Sequence, residues 1–233
     1  MRPKLTTVAF DADDTLWHNE RFFQMTQAHF AELLQEYTDK TPLMERLLAA
    51  EKRNLGHYGF GVKGFTLSMI ETAIEVTEGK VAGSVIAEIL DAGREMLGHP
   101  VDLLPHAQAA VEAAKHKHRV VLITKGDLLD QERKLAQSGL GELFDAVEIV
   151  SDKNVQMYTE VFNRLGDGAQ ASMMVGNSLK SDILPVLDAG GWAVHIPYEV
   201  TWDLELAAAP TDPERFQSLP DLKNLPDLLA DFD

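Results

Sequence analysis

Three aspartates fall within four residues at Asp11-Ala12-Asp13-Asp14, and Thr15 follows them. Carboxylates this close repel one another unless a cation is present. An acidic turn or a helix N-cap accounts for one of them and not for three. A calcium loop of the EF-hand type fails too, because Leu16 and Phe22 stand where that loop needs Gly and Glu. The acidic run directly follows residues 5–10, a β-rich stretch that reads as a buried strand. Ligands of parallel α/β sheets bind beyond the carboxyl ends of the strands. The cluster is therefore a candidate for metal and phosphoryl chemistry.

Three later segments place polar residues at equivalent points. Ile123-Thr124-Lys125-Gly126-Asp127 follows the second core strand, and Ser151-Asp152-Lys153-Asn154 follows the third. Val175-Gly176-Asn177-Ser178-Leu179-Lys180-Ser181-Asp182 follows the fourth. Each alone has an ordinary structural explanation: Thr124 as an N-cap, Lys153 as a solvent-facing lysine, Asn177 or Ser178 as a cap with Asp182 on an exposed turn. Together they put a hydroxyl, a cation and a carboxylate around one acidic turn, a set suited to a metal-bound phosphate.

The elements that must position these residues are legible in the hydrophobic rhythm. From His18 to about Leu97, apolar residues recur at helical spacing and predict about four amphipathic helices with no strand. Gly56-His57-Tyr58-Gly59-Phe60-Gly61 separates the second from the third. After Pro105 the pattern alternates: helix near 106–116, strand at 119–123, helix near 128–138 with Gly139 closing it, strand near 145–150, helix near 155–165, strand at 172–175, helix near 179–189, and a last strand at 192–196. Strands alternating with helices imply an α/β fold, a Rossmann-like parallel sheet with helices on both faces. The sequence thus divides into a core of residues 1–16 and 98–233 and an all-helical insert at 17–97, with linkers near Leu16-Trp17 and Gly98-His99-Pro100. In the tail, Leu-Pro-Asp-Leu occurs at 219–222 and again at 225–228, which fits Pro at the start of short helices.

On these residues the chain resembles the haloacid dehalogenase-like hydrolases over about residues 5–200. The family's first motif, Asp-x-Asp-x-Thr after a hydrophobic strand, matches Asp11, Asp13 and Thr15. Its second, a Thr or Ser closing the next core strand, matches Thr124, and its third, a Lys before a helix, matches Lys153. Its fourth, Gly-Asp-x-x-x-x-Asp, matches Gly176 to Asp182 with Asn177 in place of the first Asp. Asn154 stands where Pro is common. The insert resembles the family's helical cap domain.

The resemblance implies a phosphatase for a small phosphorylated metabolite. Asp11 is then the nucleophile that forms an aspartyl-phosphate, and Asp13 the acid for the leaving oxygen and the base for the attacking water. Mg²⁺ is the implied cofactor, held by the Asp11 side chain, the Asp13 backbone carbonyl, Asp182 and the Asn177 position. Lys153 neutralises charge beside Asp11, and Thr124 with the Lys125 backbone N–H binds phosphate. A departing halide takes no proton, so Asp13 favours phosphoryl chemistry over dehalogenation. A sugar-phosphate mutase and a phosphonate hydrolase with a cap lysine (Lys52, Lys63 or Lys80) remain alternatives on the same fold. Outside enzymes, the alternatives are a phospho-receiver-like domain, which is shorter and has no insert, and a silent binding protein.

Composition narrows the classes further. Lys and Arg number 21 against 37 Asp and Glu, a net charge of −16, which argues against nucleic acid or an anionic membrane as partner. The one basic cluster, Lys115 to Arg119, reads as a solvated helix end. The absence of Cys removes disulfides, thiolate zinc sites and a cysteine nucleophile. No signal h-region or membrane-length apolar run is visible, so the expected location is cytoplasmic. The sequence carries no signal of oligomeric state. Specificity is expected from the insert, where Tyr58 and Lys63 lie in a glycine-rich segment and are candidate substrate contacts.

Overall fold

The computed structural model describes residues 4–211 and 214–232. Its sheet contains the strands β1 (Thr7–Phe10), β2 (Arg119–Lys125), β3 (Ala146–Val150), β4 (Ser172–Gly176), β5 (Trp192–His195) and β6 (Phe216–Ser218). All pairings are parallel, in the order β3-β2-β1-β4-β5-β6. The α/β, Rossmann-like reading of the sequence is thus correct. The strand at 192–196 is not the last, however. β6 adds a short edge strand in register with Ala193–His195, and three residues carry too little alternation to be read from sequence.

Residues 4–20, 101–125, 131–211 and 214–232 form one compact unit. Inside it, strand alternation sends side chains to two cores. Val8, Phe10, Val120, Leu122, Met173, Val175 and Val194 pack on one face with the helices α5 (Ala107–Lys115) and α9 (Leu225–Ala230). Ala9, Val121, Ile123, Met174 and Ala193 pack on the other with α7 (Val155–Leu165) and α8 (Leu184–Asp188). Both faces are covered, so the central strands are continuously apolar.

Four differences from the sequence reading have physical causes. Leu16 and Trp17 are not a linker: both are completely buried in the first core, and the unit boundary falls after Glu20. The helix expected at 179–189 is a π-helical turn at Leu179–Ile183 followed by α8. Pro185 lacks the N–H that would bond the Ser181 carbonyl, and that carbonyl instead accepts from Tyr158 Oη at 3.0 Å. The basic helix end is partly built in. His118 is buried, and Lys115 Nζ donates to the carbonyls of Glu142 and Leu143 at 2.8 and 2.9 Å. Finally, Asn154 caps α7 by accepting from Met157 N at 3.0 Å, which gives the residue after Lys153 a structural role of its own.

The second unit comprises residues 21–100 and 126–130. Its helices α1 (Glu20–Leu33), α2 (Lys40–Tyr58), α3 (Val62–Val76) and α4 (Gly83–Gly98) bury Phe30, Leu34, Leu43, Leu47, Phe65, Met69 and Ile89 in a core of their own. Asn54 Nδ2 joins α2 to α3 through Ser68 Oγ at 3.1 Å and Glu71 Oε2 at 2.7 Å. Between these helices Gly59 and Gly61 adopt φ of 71° and 120°. A Cβ on Gly61 would press on the carboxylate and backbone N of Asp127. Among the described residues no helix is long and apolar enough to cross a membrane.

Candidate active site

The sheet order defines where a site belongs. The chain moves outward from β1 to β3, then returns to the far side of β1 as β4. The order in which strands are added to the sheet reverses between the parallel neighbours β1 and β4, and their carboxyl ends flank the crevice where α/β sheets bind ligands. Asp11 leaves β1 there, with its N–H on the Val175 carbonyl at 2.9 Å. Gly176 closes β4, and a Cβ on it would overlap the Asp182 carboxylate. Glycine at this position lets that carboxylate lie against the strand end.

Lys153 joins the two sides. Its Nζ donates to Asp11 Oδ1 at 2.5 Å and to Asp182 Oδ1 at 2.7 Å, with all three side chains buried. Burial pushes the Asp11 carboxyl up to about 7; Lys153 opposes that shift and the neighbouring Asp182 adds to it. Burial alone would weaken the Lys153 charge, but the Asp11 and Asp182 carboxylates reverse this and raise it above the ordinary lysine value. Asp182 Oδ2 also accepts from Ser178 N at 3.0 Å.

The turn after Asp11 is fixed by its own backbone. Leu16 N donates to the Ala12 carbonyl at 2.8 Å, and Asp14 N to that of Trp17 at 2.7 Å. Asp14 takes the left-handed conformation, φ 61°, which Asp tolerates better than most residues. Its carboxylate accepts from Asn19 N at 2.8 Å and Glu20 N at 3.0 Å. Burial, reinforced by the charge of Asp13, pushes it up to about 7. Thr15 Oγ1 donates to Asp11 Oδ2 at 2.9 Å and accepts from Asn177 N at 3.0 Å, tying the two strand ends together.

Asp13 has a separate set of partners. Its Oδ1 accepts from Trp17 Nε1 at 2.7 Å and its Oδ2 from Gln131 Nε2 at 2.8 Å. Lys134 Nζ bonds both oxygens, at 2.7 and 2.8 Å. Gln131 and Lys134 lie three residues apart on α6 (Leu128–Ser138) and are both buried. The sequence reading missed them. The available signal was two polar residues on the helical stripe that carries Leu135.

Thr124 is buried at the end of β2. The side chain of Lys125 turns to Ser181 Oγ at 2.8 Å and Glu205 Oε1 at 2.5 Å. Glu205 also accepts from Ser178 and Ser181. Burial would raise its carboxyl, but Lys125 and the two hydroxyls overcome that and hold it below the usual range. His195 Nε2 meets the Asn177 carbonyl at 3.0 Å, and burial lowers its ring below the ordinary value. Glu205 and His195 carry no sequence signal, because their partners lie far along the chain. Tyr58 and Lys63 lie in the helical unit: Tyr58 is half exposed, and Lys63 Nζ stands 3.4 Å from Asp127 Oδ1.

The donor set fits a hard divalent cation. Asp11 and Asp182 are buried oxygen donors with one lysine between them, and burial has left Asp11 short of compensating charge. The Asp13 carboxylate is held by Lys134, so only its backbone carbonyl is left for such a role. Among the described residues no cluster of three or more His, Cys, Asp and Glu side chains suited to a metal occurs, so the side-chain carboxylates available here are Asp11 and Asp182.

A profile of the haloacid dehalogenase-like hydrolases matches residues 5–190. A haloacid dehalogenase-like family hydrolase from Xanthomonas campestris is 41% identical, with a TM-score of 0.88 over 100% of this chain and 97% of that one. The glyceraldehyde 3-phosphate phosphatase of Methanothermobacter thermautotrophicus is 32% identical over 90 residues. That match spans 36% of this chain and 39% of the relative's length. A Bacillus subtilis hydrolase of the same fold, solved with magnesium bound, is 16% identical with a TM-score of 0.68, over 97% of this chain and 99% of that one. Phosphatases and dehalogenases both occur among solved structures of this fold, so the fold alone does not choose between them.

Proposed function

Because the chain belongs to the haloacid dehalogenase-like hydrolases, we propose that it is a Mg²⁺-dependent phosphatase that hydrolyses a small phosphorylated metabolite through an aspartyl-phosphate on Asp11. The observation that carries the reading is Asp13. Two residues beyond Asp11, a carboxylate is held by Trp17, Gln131 and Lys134. An alkoxide leaving group needs such a proton donor, and a halide does not.

In this reading Asp13 enters the step protonated, Asp11 attacks phosphorus, and the ester oxygen leaves with the Asp13 proton. Asp13 then takes a proton from the water that attacks the acyl phosphate, releasing inorganic phosphate and restoring Asp11. Lys153 offsets the charge gathered between Asp11 and the phosphoryl oxygens. Thr124 and the backbone N–H of Lys125 bind those oxygens. Asp11, Asp182, Asn177 and the Asp13 carbonyl would hold Mg²⁺, which when bound supplies positive charge to the anionic phosphoryl group. The helical unit is read as the cap, with Tyr58 and Lys63 as its candidate substrate contacts. The phosphatase relative from Methanothermobacter and the magnesium-bound Bacillus structure support the reading.

The test is a panel of sugar phosphates, nucleotides, phosphoamino acids and phosphorylated glycolytic acids, beside short 2-haloacids, each with Mg²⁺ and with chelator. Phosphate release that needs Mg²⁺ and is lost in Asp11→Asn is expected. Halide release with no phosphate release overturns the reading.

A further inference from the structure

We infer that Lys134, with Gln131, is the positioning residue that aims the Asp13 carboxylate at the leaving oxygen. The inference rests on the phosphatase reading and adds to it a part of the machinery outside the four motif segments.

Lys134 Nζ donates to Asp13 Oδ1 at 2.7 Å, Asp13 Oδ2 at 2.8 Å and Asn19 Oδ1 at 3.1 Å. Its side chain is 9% exposed. A lysine so placed and so satisfied is committed to Asp13 rather than held ready for a substrate anion. Gln131 is held through its amide nitrogen, while its Oε1 is buried without a hydrogen-bond partner. Its Nε2 donates to Asp13 Oδ2 at 2.8 Å and to the Lys125 carbonyl at 3.2 Å. The reversed amide would set its oxygen against the carboxylate, so only this orientation is favourable.

Trp17 completes the arrangement by donating Nε1 to Asp13 Oδ1 at 2.7 Å. Trp17 belongs to the motif turn, whereas Gln131 and Lys134 belong to α6. The carboxylate is therefore gripped from two separate elements, and neither its χ1 nor its plane is free to turn. General acid catalysis needs that rigidity, since a reacting group displaced by about 1 Å can lose on the order of a hundredfold in rate. Lys134 touches neither the reacting atoms nor Asp11; its effect passes through Asp13.

The test compares para-nitrophenyl phosphate, whose phenolate leaves readily, with phenyl phosphate, whose phenolate needs a proton. Lys134→Met should lower the single-turnover rate of phosphoryl transfer from phenyl phosphate to Asp11, the step that precedes the base role of Asp13, roughly tenfold to a hundredfold. The loss on para-nitrophenyl phosphate should be several-fold smaller, with KM little changed on either ester. Lys134→Arg keeps the charge and the paired donors and should recover part of the loss; thermal melts of both variants check that they are folded. In an Asp13→Asn background, Lys134→Met should cost nothing further, because the group it positions is gone. Equal losses on the two esters, or a Lys134→Met penalty that persists beside Asp13→Asn, overturns the inference and leaves the phosphatase reading standing. A wild-type chain that hydrolyses no phosphate ester overturns both.

Discussion

Thr15 Oγ1 donates to Asp11 Oδ2 at 2.9 Å, while Lys153 takes the other oxygen of the same carboxylate at 2.5 Å. The proposed nucleophile is thereby held at both ends, one by a neutral donor and one by a charge. Thr15→Val keeps the shape and removes the donor. It should lower kcat for phosphate esters by roughly tenfold, as loss of a hydrogen bond to a charged group costs about 1.5–3 kcal/mol. Thr15→Ser should retain most of the rate. Steady-state kinetics of the two variants check this, and indistinguishable losses would assign Thr15 to packing.

Asp182 and Asn177 should differ in metal titrations. Asp182→Ala removes a buried charge that meets Lys153 at 2.7 Å, and it should raise the Mg²⁺ concentration for half-activity far more than Asn177→Ala. The reverse order would reassign the fourth motif.

Gly176→Ala tests the approach of Asp182 to the end of β4. The added Cβ would overlap the Asp182 carboxylate and press on its Cβ, so the side chain cannot simply swing its far end away. A higher Mg²⁺ concentration for half-activity and a lower melting temperature should appear together. Wild-type behaviour in both would show that the strand end can yield.

Asp14 predicts a pH dependence of stability. Its carboxyl lies at about 7 in the fold against an ordinary 3.8, chiefly through burial. Between those values the folded chain binds a proton that the unfolded chain has released, so this group's contribution is full at low pH and is lost as pH rises through about 7. Asp14→Asn keeps an acceptor for the N–H groups of Asn19 and Glu20 and tolerates φ 61°. The variant should match or exceed wild type above pH 7, with the gap closing on acidification. Melting curves across that range check it, and a constant gap would contradict it.

The fold was legible where an unbroken apolar run marked a strand with both faces buried, as in Val120-Val121-Leu122-Ile123. It was illegible where one residue redirected a whole element. Pro185 leaves the Ser181 carbonyl without its helical donor, and that carbonyl accepts from Tyr158 beside a widened turn that the hydrophobic pattern does not announce. Asp11, Thr15, Lys153 and Asp182 could be grouped from sequence because each follows a strand, and parallel strands deliver their carboxyl ends to one edge. Lys134 and Glu205 reach that edge from a helix interior and from the short 3₁₀ turn Asp203–Glu205. Their roles rest on where their side chains end, which local pattern does not encode.

The central claim is that phosphate is transferred to Asp11. Chain quenched with acid during turnover of para-nitrophenyl phosphate and then reduced with borohydride would convert an aspartyl-phosphate to homoserine, which peptide mass spectrometry locates. The account predicts homoserine at position 11, dependent on substrate and Mg²⁺ and absent from Asp11→Asn. Phosphate release with no modification at Asp11, or with homoserine at another aspartate, would contradict it.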